Sequence, residues 1–376
     1  MDLFKGIYKG RKVLITGNTG FKGSYMSLWL TELGADVIGY SLDPPTSPSL
    51  FKILKLNKRI SHTKGDVRDA AGIKKVIKKY RPDMVFHLAA QPLVRPSYRD
   101  PELTYETNIM GTVNLLEAVR NTEGVKVAVN ITSDKCYENK GSNYAYRETD
   151  PMGGADPYSS SKGCAELVTA AYRSSYFNPA LYGKSHNSAL ATARAGNVIG
   201  GGDWSEDRLI PDCIRALTKN RSISIRNPKA IRPWQHVLEP LSGYLWLGAL
   251  MWNDGISYSR GWNFGPNDGD VLMVEDIVNE VIRLWGKGRY SVTPDNRLHE
   301  AELLKLDISS ARLHLGWRPV YSVQKAVETT ISWYQTFHNK SSKDLLQFTL
   351  SQIQEYAHAA KNAGLEWAQQ ESNRSR

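Results

Sequence analysis

A chain of 376 residues, 41% hydrophobic and 23% charged, has an ordinary globular balance and suits one large or two modest domains. No run of about 18 apolar residues offers a membrane span, and the charged stretch at residues 1–11 lacks the apolar core of a secretory signal, so a cytoplasmic protein is expected. Three cysteines (Cys136, Cys164 and Cys213) without a CxxC pair argue against a disulfide framework, eight histidines without ligand spacing argue against a metal site, and a net charge of +10 on dispersed basic residues, as in KKVIKKY at 74–80, fits anionic small-molecule ligands better than nucleic acid.

The apolar run KVLIT at 12–16 predicts a strand buried on both faces. Residues 21–33 have helical spacing and stop at Gly34, and DVIGYS at 36–41 predicts the second strand. A helix follows at 73–80, ending ahead of Pro82, then a strand at 85–89. Residues 103–119 predict a helix, 125–132 a strand, 158–176 a long helix and 190–195 another strand. Strands regularly separated by helices imply an α/β fold, a doubly wound parallel sheet. After Asn197 the run Gly200, Gly201, Gly202 breaks the pattern, and short elements rich in Trp and Pro indicate a smaller mixed α/β lobe, from which WNFG at 262–265 returns as a strand. The expected division is 1–197 with roughly 235–265 as a dinucleotide-binding domain, 198–234 with roughly 266–340 as the second lobe, and 341–376 as one more helix with a polar, disordered tail, ESNRSR.

The first strand runs into a G-x-x-G-x-x-G loop, Gly17, Thr19, Gly20, Phe21, Lys22 and Gly23 among its residues, which opens the first helix. Glycines there let the backbone turn tightly and approach a pyrophosphate whose charge sits at the helix N-terminus, a fingerprint of the Rossmann type. Asp43 closes the second strand about 20 residues further on, where an acid holds the adenosine ribose hydroxyls and repels a 2′-phosphate, so NAD is expected rather than NADP. Lys22 and Arg68 pull the other way, and Lys22 equally reads as a solvated loop lysine. Asp66 and Val67 are placed to receive the adenine, and Leu88, Ala89 and Ala90 end a strand with residues small enough for a cofactor to lie close.

Tyr158 and Lys162 stand four apart and so share one helix face. A free tyrosine has a pKa of about 10, too high for a base at neutral pH, and a nearby ammonium is expected to lower it. Tyr158 then accepts a proton from a substrate hydroxyl. The spacing is common by chance; the preceding strand gives it meaning, because Thr132, Ser133, Asp134 and Lys135 lie at its C-terminal end, where open α/β sheets place their sites.

Together, TGNTGFKGS (16–24), HLAAQPLVRPSY (87–98), NITSDKCY (130–137), DPYSSSKGCAELV (156–168), RAGNVIGGGDWSEDRLIPD (194–212), IRPWQHVLEPLSGY (231–244) and WNFGP (262–266) resemble the extended short-chain dehydrogenases that act on nucleotide sugars, and within them the branch of 4,6-dehydratases acting on CDP-glucose. The likeness covers roughly residues 8–335 and leaves out the C-terminal tail. It implies oxidation at carbon 4 of the glucosyl unit by NAD, loss of water across carbons 5 and 6, and return of the stored hydride to carbon 6. Tyr158 is then the base, Lys162 its electrostatic partner, Ser133 its hydrogen-bond partner and Asp134 the acid that helps water leave; Thr132, Tyr158 and Lys162 also line the cofactor. Lys135 stands where the dTDP-glucose enzymes carry a Glu base, which leaves the carbon 5 base open between a neutral Lys and another group.

The same likeness places Arg208 and Arg232 near the diphosphate, Asn197 near the sugar, and Asn108 as an organiser of the site. Trp234 and His236 read as packing residues, and His299 and Glu300 as either nucleotide contacts or exposed loop. The helices at 103–119 and 158–176 are expected to pair two subunits into a homodimer, or to build a homotetramer. The product class feeds the deoxyhexoses of bacterial surface polysaccharides such as O-antigen. A 4-epimerase would need the cofactor loop, Ser133, Tyr158 and Lys162, but neither Asp134 nor Lys135. A dinucleotide-sensing scaffold would need none of these side chains together.

Overall fold

The computed structural model describes residues 1–141, 144–293, 304–339 and 344–369. Short runs of apolar and β-branched residues make β1 (Lys12–Thr16), β2 (Asp36–Ser41), β4 (Met84–His87), β5 (Val127–Ile131) and β6 (Ala189–Ala195), while the polar β3 (Ser61–Lys64) and β7 (Gly261–Phe264) close the two edges. The order is β7-β6-β5-β4-β1-β2-β3 and every pairing is parallel. The order reverses between β1 and β4, which opens the crevice where such sheets bind ligands. Strands β5 and β6 are buried along their whole length, as a sheet covered on both faces requires. The sequence reading omitted β3, since SHTK has no apolar run; its pairing to β2 alone makes it a strand.

The helices α1 (Phe21–Glu32), α2 (Ala70–Tyr80), α3 (Gly111–Arg120) and α4 (Pro157–Ser175) cover the sheet. Asp69 caps α2 by accepting from the Ala71 and Gly72 amides, and Arg81 ends it in the left-handed region ahead of Pro82. Asp156 caps α4 by accepting from the Ser159 amide, with proline in the first turn. The helix expected at 103–119 is interrupted: a short turn at Pro101–Tyr105 passes through a wide π turn at Glu106–Met110 before α3. The inserted turn brings the Asn108 side chain onto the backbone of Gln91, a local distortion of the kind that accompanies functional sites.

Four more helices, α5 (Leu209–Thr218), α6 (Leu238–Asn253), α7 (Val274–Trp285) and α8 (Val323–His338), follow the break at 200–202, and α9 (Leu345–Asn362) ends the described fold. Apolar on nearly every side, α6 is buried against β5 and β6. The smaller lobe has a three-stranded sheet, Asn197–Ile199 beside Ile231–His236 beside Val271–Met273, and a pair formed by Ile223–Ile225 and Tyr290–Val292. It has no core of its own, because one apolar cluster runs from Leu3 through both lobes to Trp367. Residues 345–369 belong to that cluster: Trp367 stacks on Phe4 at 5.1 Å and on Tyr356 at 5.8 Å. The tail at 371–376 and the pair His299 and Glu300 lie outside the described residues.

Glu239, at the start of α6, is buried and accepts hydrogen bonds from the Val320 and Tyr321 amides and the Tyr356 hydroxyl, tying α8 and α9 to the sheet. Burial outweighs those donors and pushes its carboxyl from 4.5 up to about 7. The unfolded chain therefore ionises first. The contribution of Glu239 to folding stability is expected to be fullest below about pH 4.5 and to fall by roughly 3 kcal/mol as pH rises to about 7. Glu239→Gln removes that component, so the difference in melting temperature between variant and parent should change across this window and be flat above it.

Candidate active site

The glycine turn is set by how closely chain segments approach. Gly17 has φ +73°, and a Cβ there would lie 2.7 Å from the Ala89 amide nitrogen; a Cβ on Gly23 would lie 2.2 Å from the Gly17 carbonyl oxygen. Both approaches exclude a side chain, whereas Gly20 at the head of α1 has no atom nearer than 3.4 Å and leaves the space in front of the helix open. No side chain caps α1, so its first amides, at the positive end of a 12-residue helix, face that space and fit a pyrophosphate. Thr19 braces the loop from below, donating to the Leu42 carbonyl and accepting from Ser41. Ala89 and Ala90 follow β4 on the far wall, the Ala89 amide held by the Thr16 hydroxyl at 3.2 Å, with Leu88 packed toward the core. Gly23→Ala is expected to weaken dinucleotide binding about 5- to 150-fold, since overpacking here costs on the order of 1–3 kcal/mol. Dinucleotide retained after gel filtration measures it.

The expected adenosine end is less direct. Strand β2 stops at Ser41, so Asp43 stands two residues beyond it, exposed and paired with Lys64. Asp66 is held by Arg68 at 2.7 Å, and Arg68 also reaches Glu106 at 3.1 Å, so two carboxylates already engage the cation that argued for a 2′-phosphate. Val67 is buried, and a Cβ on Gly111 would lie 2.7 Å from its Cγ2.

At the end of β5, Ser133, Asp134 and Lys135 form a single tight turn. The Ser133 hydroxyl donates to Asp134 Oδ1 at 2.8 Å and accepts from the Lys135 amide at 3.3 Å. Tyr158 and Lys162 arrive from α4, both buried, and the Tyr158 amide donates to Ser97 Oγ at 3.1 Å. Ser133 lies near enough to the phenol to oppose the effect of burial on it. Its acidity departs from expectation: burial pushes it up to about 12, with Ser133 and Arg208 pulling back, and the Lys162 ammonium does not dominate. Lys162 is itself pushed down to about 8 by the same burial. The low-dielectric environment penalises both charges more than the protein's own cations stabilise the phenolate. Beside them His87 bonds Thr16 Oγ1 at 2.7 Å, and burial with Lys162 pushes it down to about 3, so it is neutral. Burial raises the Asp134 carboxyl, opposed by Lys135 and the Ser133 hydrogen bond, which favours the protonated form more than in a free aspartate.

One turn past Lys162, the buried Glu166 gathers Thr192 at 2.7 Å, Arg194 at 2.7 Å and the Thr132 hydroxyl. Arg194 continues to the Tyr137 hydroxyl at 2.5 Å, and Tyr137 to Asn263 at 2.8 Å. Thr132 thus turns its side chain into this network, and its amide donates to the Ala193 carbonyl at 3.0 Å. Asn108 accepts from the Gln91 amide at 2.8 Å and donates to Ser161 Oγ at 2.8 Å, holding the segment after β4 against α4. Sequence reasoning passed over Ser97, Ser161 and Glu166. Their signal was available in part, because Glu166 continues the face of Tyr158 and Lys162 at the next helical turn.

On the other wall, Asn197 begins the lobe's first strand and Arg232 lies in the second, both half-buried. Arg208 caps α5, half-buried, with Nη1 2.8 Å from Asp203. Lys22 is no solvated loop lysine: burial, then Arg208 and Lys162, push it down to about 8, with Asp134 and Asp203 opposing. The structure thus gathers Lys22, Ser133, Asp134, Tyr158, Lys162 and Arg208 around one cleft. Trp234 and His236 are buried, and burial pushes His236 down to about 3, which fits packing residues. Among the described residues no three metal-ligating side chains converge, and no helix is long and apolar enough to cross a membrane.

Residues 14–330 match the family model described as GDP-mannose 4,6 dehydratase. The chain is 50% identical over 356 residues to a CDP-glucose 4,6-dehydratase of Salmonella typhimurium, covering 94% of this chain and 98% of the relative. It is 26% identical over 343 residues to a dTDP-glucose 4,6-dehydratase of Xanthomonas campestris, covering 86% and 93%. Among solved structures, a dTDP-glucose 4,6-dehydratase of Streptomyces venezuelae with NAD bound superposes with a TM-score of 0.74 at 23% identity, covering 88% of this chain and 99% of that one. A UDP-glucose 4-epimerase of Thermotoga maritima gives 0.74 at 21%, covering 87% and 99%.

Proposed function

The chain belongs to the GDP-mannose 4,6-dehydratase family, and from that premise we propose that it is an NAD-dependent hydro-lyase converting CDP-glucose to CDP-4-keto-6-deoxyglucose and water. The nucleotide-sugar assignment rests on the near full-length likeness to the Salmonella enzyme. The chemistry rests on one observation: a buried Tyr158 beside Ser133, whose hydroxyl donates to a buried, proton-favouring Asp134. NAD bound on the glycine turn supplies positive charge that favours the Tyr158 phenolate and carries two electrons from carbon 4 to carbon 6 of the sugar.

Tyr158 takes the proton of the carbon 4 hydroxyl, with Ser133 orienting it and Lys162 balancing charge. The resulting 4-keto group acidifies the carbon 5 hydrogen. Lys135 is on the same turn, where a neutral amine accepts that proton and an ammonium steadies the enolate. Asp134 delivers its proton to the carbon 6 hydroxyl, which leaves as water. Lys135 returns its proton to carbon 5 as carbon 6 is reduced, and the Tyr158 proton passes by way of Ser133 to Asp134, so each group ends as it began. Arg208 and Arg232 fit the diphosphate and Asn197 the hexose. Dehydration is favoured over 4-epimerisation because an epimerase has no use for a proton-favouring carboxyl beside Ser133.

Incubation with CDP-, dTDP-, UDP- and GDP-glucose, followed by mass spectrometry, tests the proposal. A product lighter by one water from CDP-glucose is expected. Turnover of another nucleotide sugar with none of CDP-glucose would refute the substrate, and an isobaric product would mean epimerisation.

We also propose a cytoplasmic homodimer. Tyr105 and Met110, from the segment leading into α3, and Leu167 of α4 are exposed although apolar, on the two helical regions expected to pair. Sedimentation should give twice the chain mass, and Leu167→Glu with Met110→Glu should give the monomer.

A further inference from the structure

The loop between the lobe's first strand and α5 carries Arg208 into the cleft, and it is fastened at three points. Asp203 accepts from Arg208 at 2.8 Å and from the Ser205 amide at 3.0 Å. Arg215 of α5 donates to the Trp204 and Ser205 carbonyls at 3.0 and 3.1 Å. The third point is Asp207, immediately before Arg208. Its backbone is left-handed, with φ +58°, a conformation that Asp and Asn tolerate better than other side-chain-bearing residues. Its carboxylate lies between two arginines. Oδ1 then faces Arg226 Nη1 at 3.4 Å and Arg95 Nε at 3.6 Å.

The two arginines come from different parts of the fold. Arg226 follows the strand Ile223–Ile225 in the smaller lobe. Arg95 lies in the short helix Val94–Arg99 after β4, two residues from Ser97, which accepts from the Tyr158 amide. One carboxylate oxygen therefore links the segment that seats Tyr158, the lobe that closes the substrate side, and the loop that presents Arg208.

We propose that Asp207 is a positioning residue of the nucleotide-sugar site, joining Arg95 to Arg226 so that the adjacent Arg208 is held at the separation from Tyr158 that a bound nucleotide sugar requires. The proposal rests on the reading of the site given above. Asp207 touches neither substrate nor cofactor, so its loss should act on substrate binding before it acts on chemistry.

The test uses the NAD-loaded enzyme with CDP as a binding probe and CDP-glucose as substrate. Asp207→Asn keeps the backbone preference and removes the charge; Asp207→Gly keeps the backbone freedom and removes the side chain; Arg95→Gln removes one partner away from the strained residue. Each is expected to raise KM for CDP-glucose and the Kd for CDP about five- to tenfold, with kcat within about twofold and NAD content unchanged. Asp207→Asn combined with Arg95→Gln should be no worse than either alone. Parental KM in both Asp207→Asn and Asp207→Gly would overturn the proposal, as would full additivity of the double variant. Failure of the parent enzyme to bind CDP would instead remove the substrate reading beneath it.

Discussion

Replacing Tyr158 with Phe is expected to lower turnover of CDP-glucose about 10²- to 10⁴-fold, the contribution of a well-placed general base, while CDP and NAD still bind. The substitution removes one oxygen from a ring that is buried and packed, so its fit should survive. It removes the hydroxyl beside Ser133 while leaving the backbone anchor of the helix, the Tyr158 amide on Ser97, in place. The deficit cannot be recovered by raising the pH, because phenylalanine offers no group to ionise at this position. A single-turnover assay read beside CDP affinity separates the two effects. A variant that loses binding and turnover in proportion would mean that Tyr158 is a packing residue.

Arg194→Met is expected to destabilise the protein by about 3–5 kcal/mol, the usual consequence of leaving one partner of a buried ion pair uncompensated. Both Glu166 and Arg194 are almost inaccessible, with side chains only 4% and 5% exposed. Burial opposes the Glu166 charge, and Arg194 with three hydrogen bonds outweighs it. Without the guanidinium, that carboxylate sits one helical turn from Lys162 and against β5 and β6, with only the Thr132 and Thr192 hydroxyls left. Urea denaturation at neutral pH measures the change. Glu166→Gln in the same background should recover part of the loss, because it removes the orphaned charge.

Much of this arrangement could be read from the residues. Strands β1, β2, β5 and β6 are short runs rich in apolar residues, and the turn from Gly17 to Gly23 combines a left-handed glycine with one that admits no Cβ. Tyr158 and Lys162 share a face by spacing alone. What escaped had no local signature. Strand β3 is polar and is a strand because β2 lies beside it. The π turn at Glu106–Met110 exists to seat Asn108 on Gln91, a demand set by a segment 17 residues away. The upward push on Tyr158 reflects a desolvation that sequence spacing does not encode, since the helix period places charges but not the dielectric around them. Likewise nothing in the sequence showed where α9 docks: its Tyr356 packs on Trp29 of α1 and on Trp367, which stacks in turn on Phe4.

The central claim is that oxidation at carbon 4 and reduction at carbon 6 are two halves of one event in this cleft. CDP-glucose deuterated at carbon 4, turned over in ordinary water, tests it by mass spectrometry and NMR of the product. Deuterium recovered on carbon 6 of a 4-keto-6-deoxy sugar is the predicted result. Deuterium lost to solvent, or still on carbon 4, would contradict it.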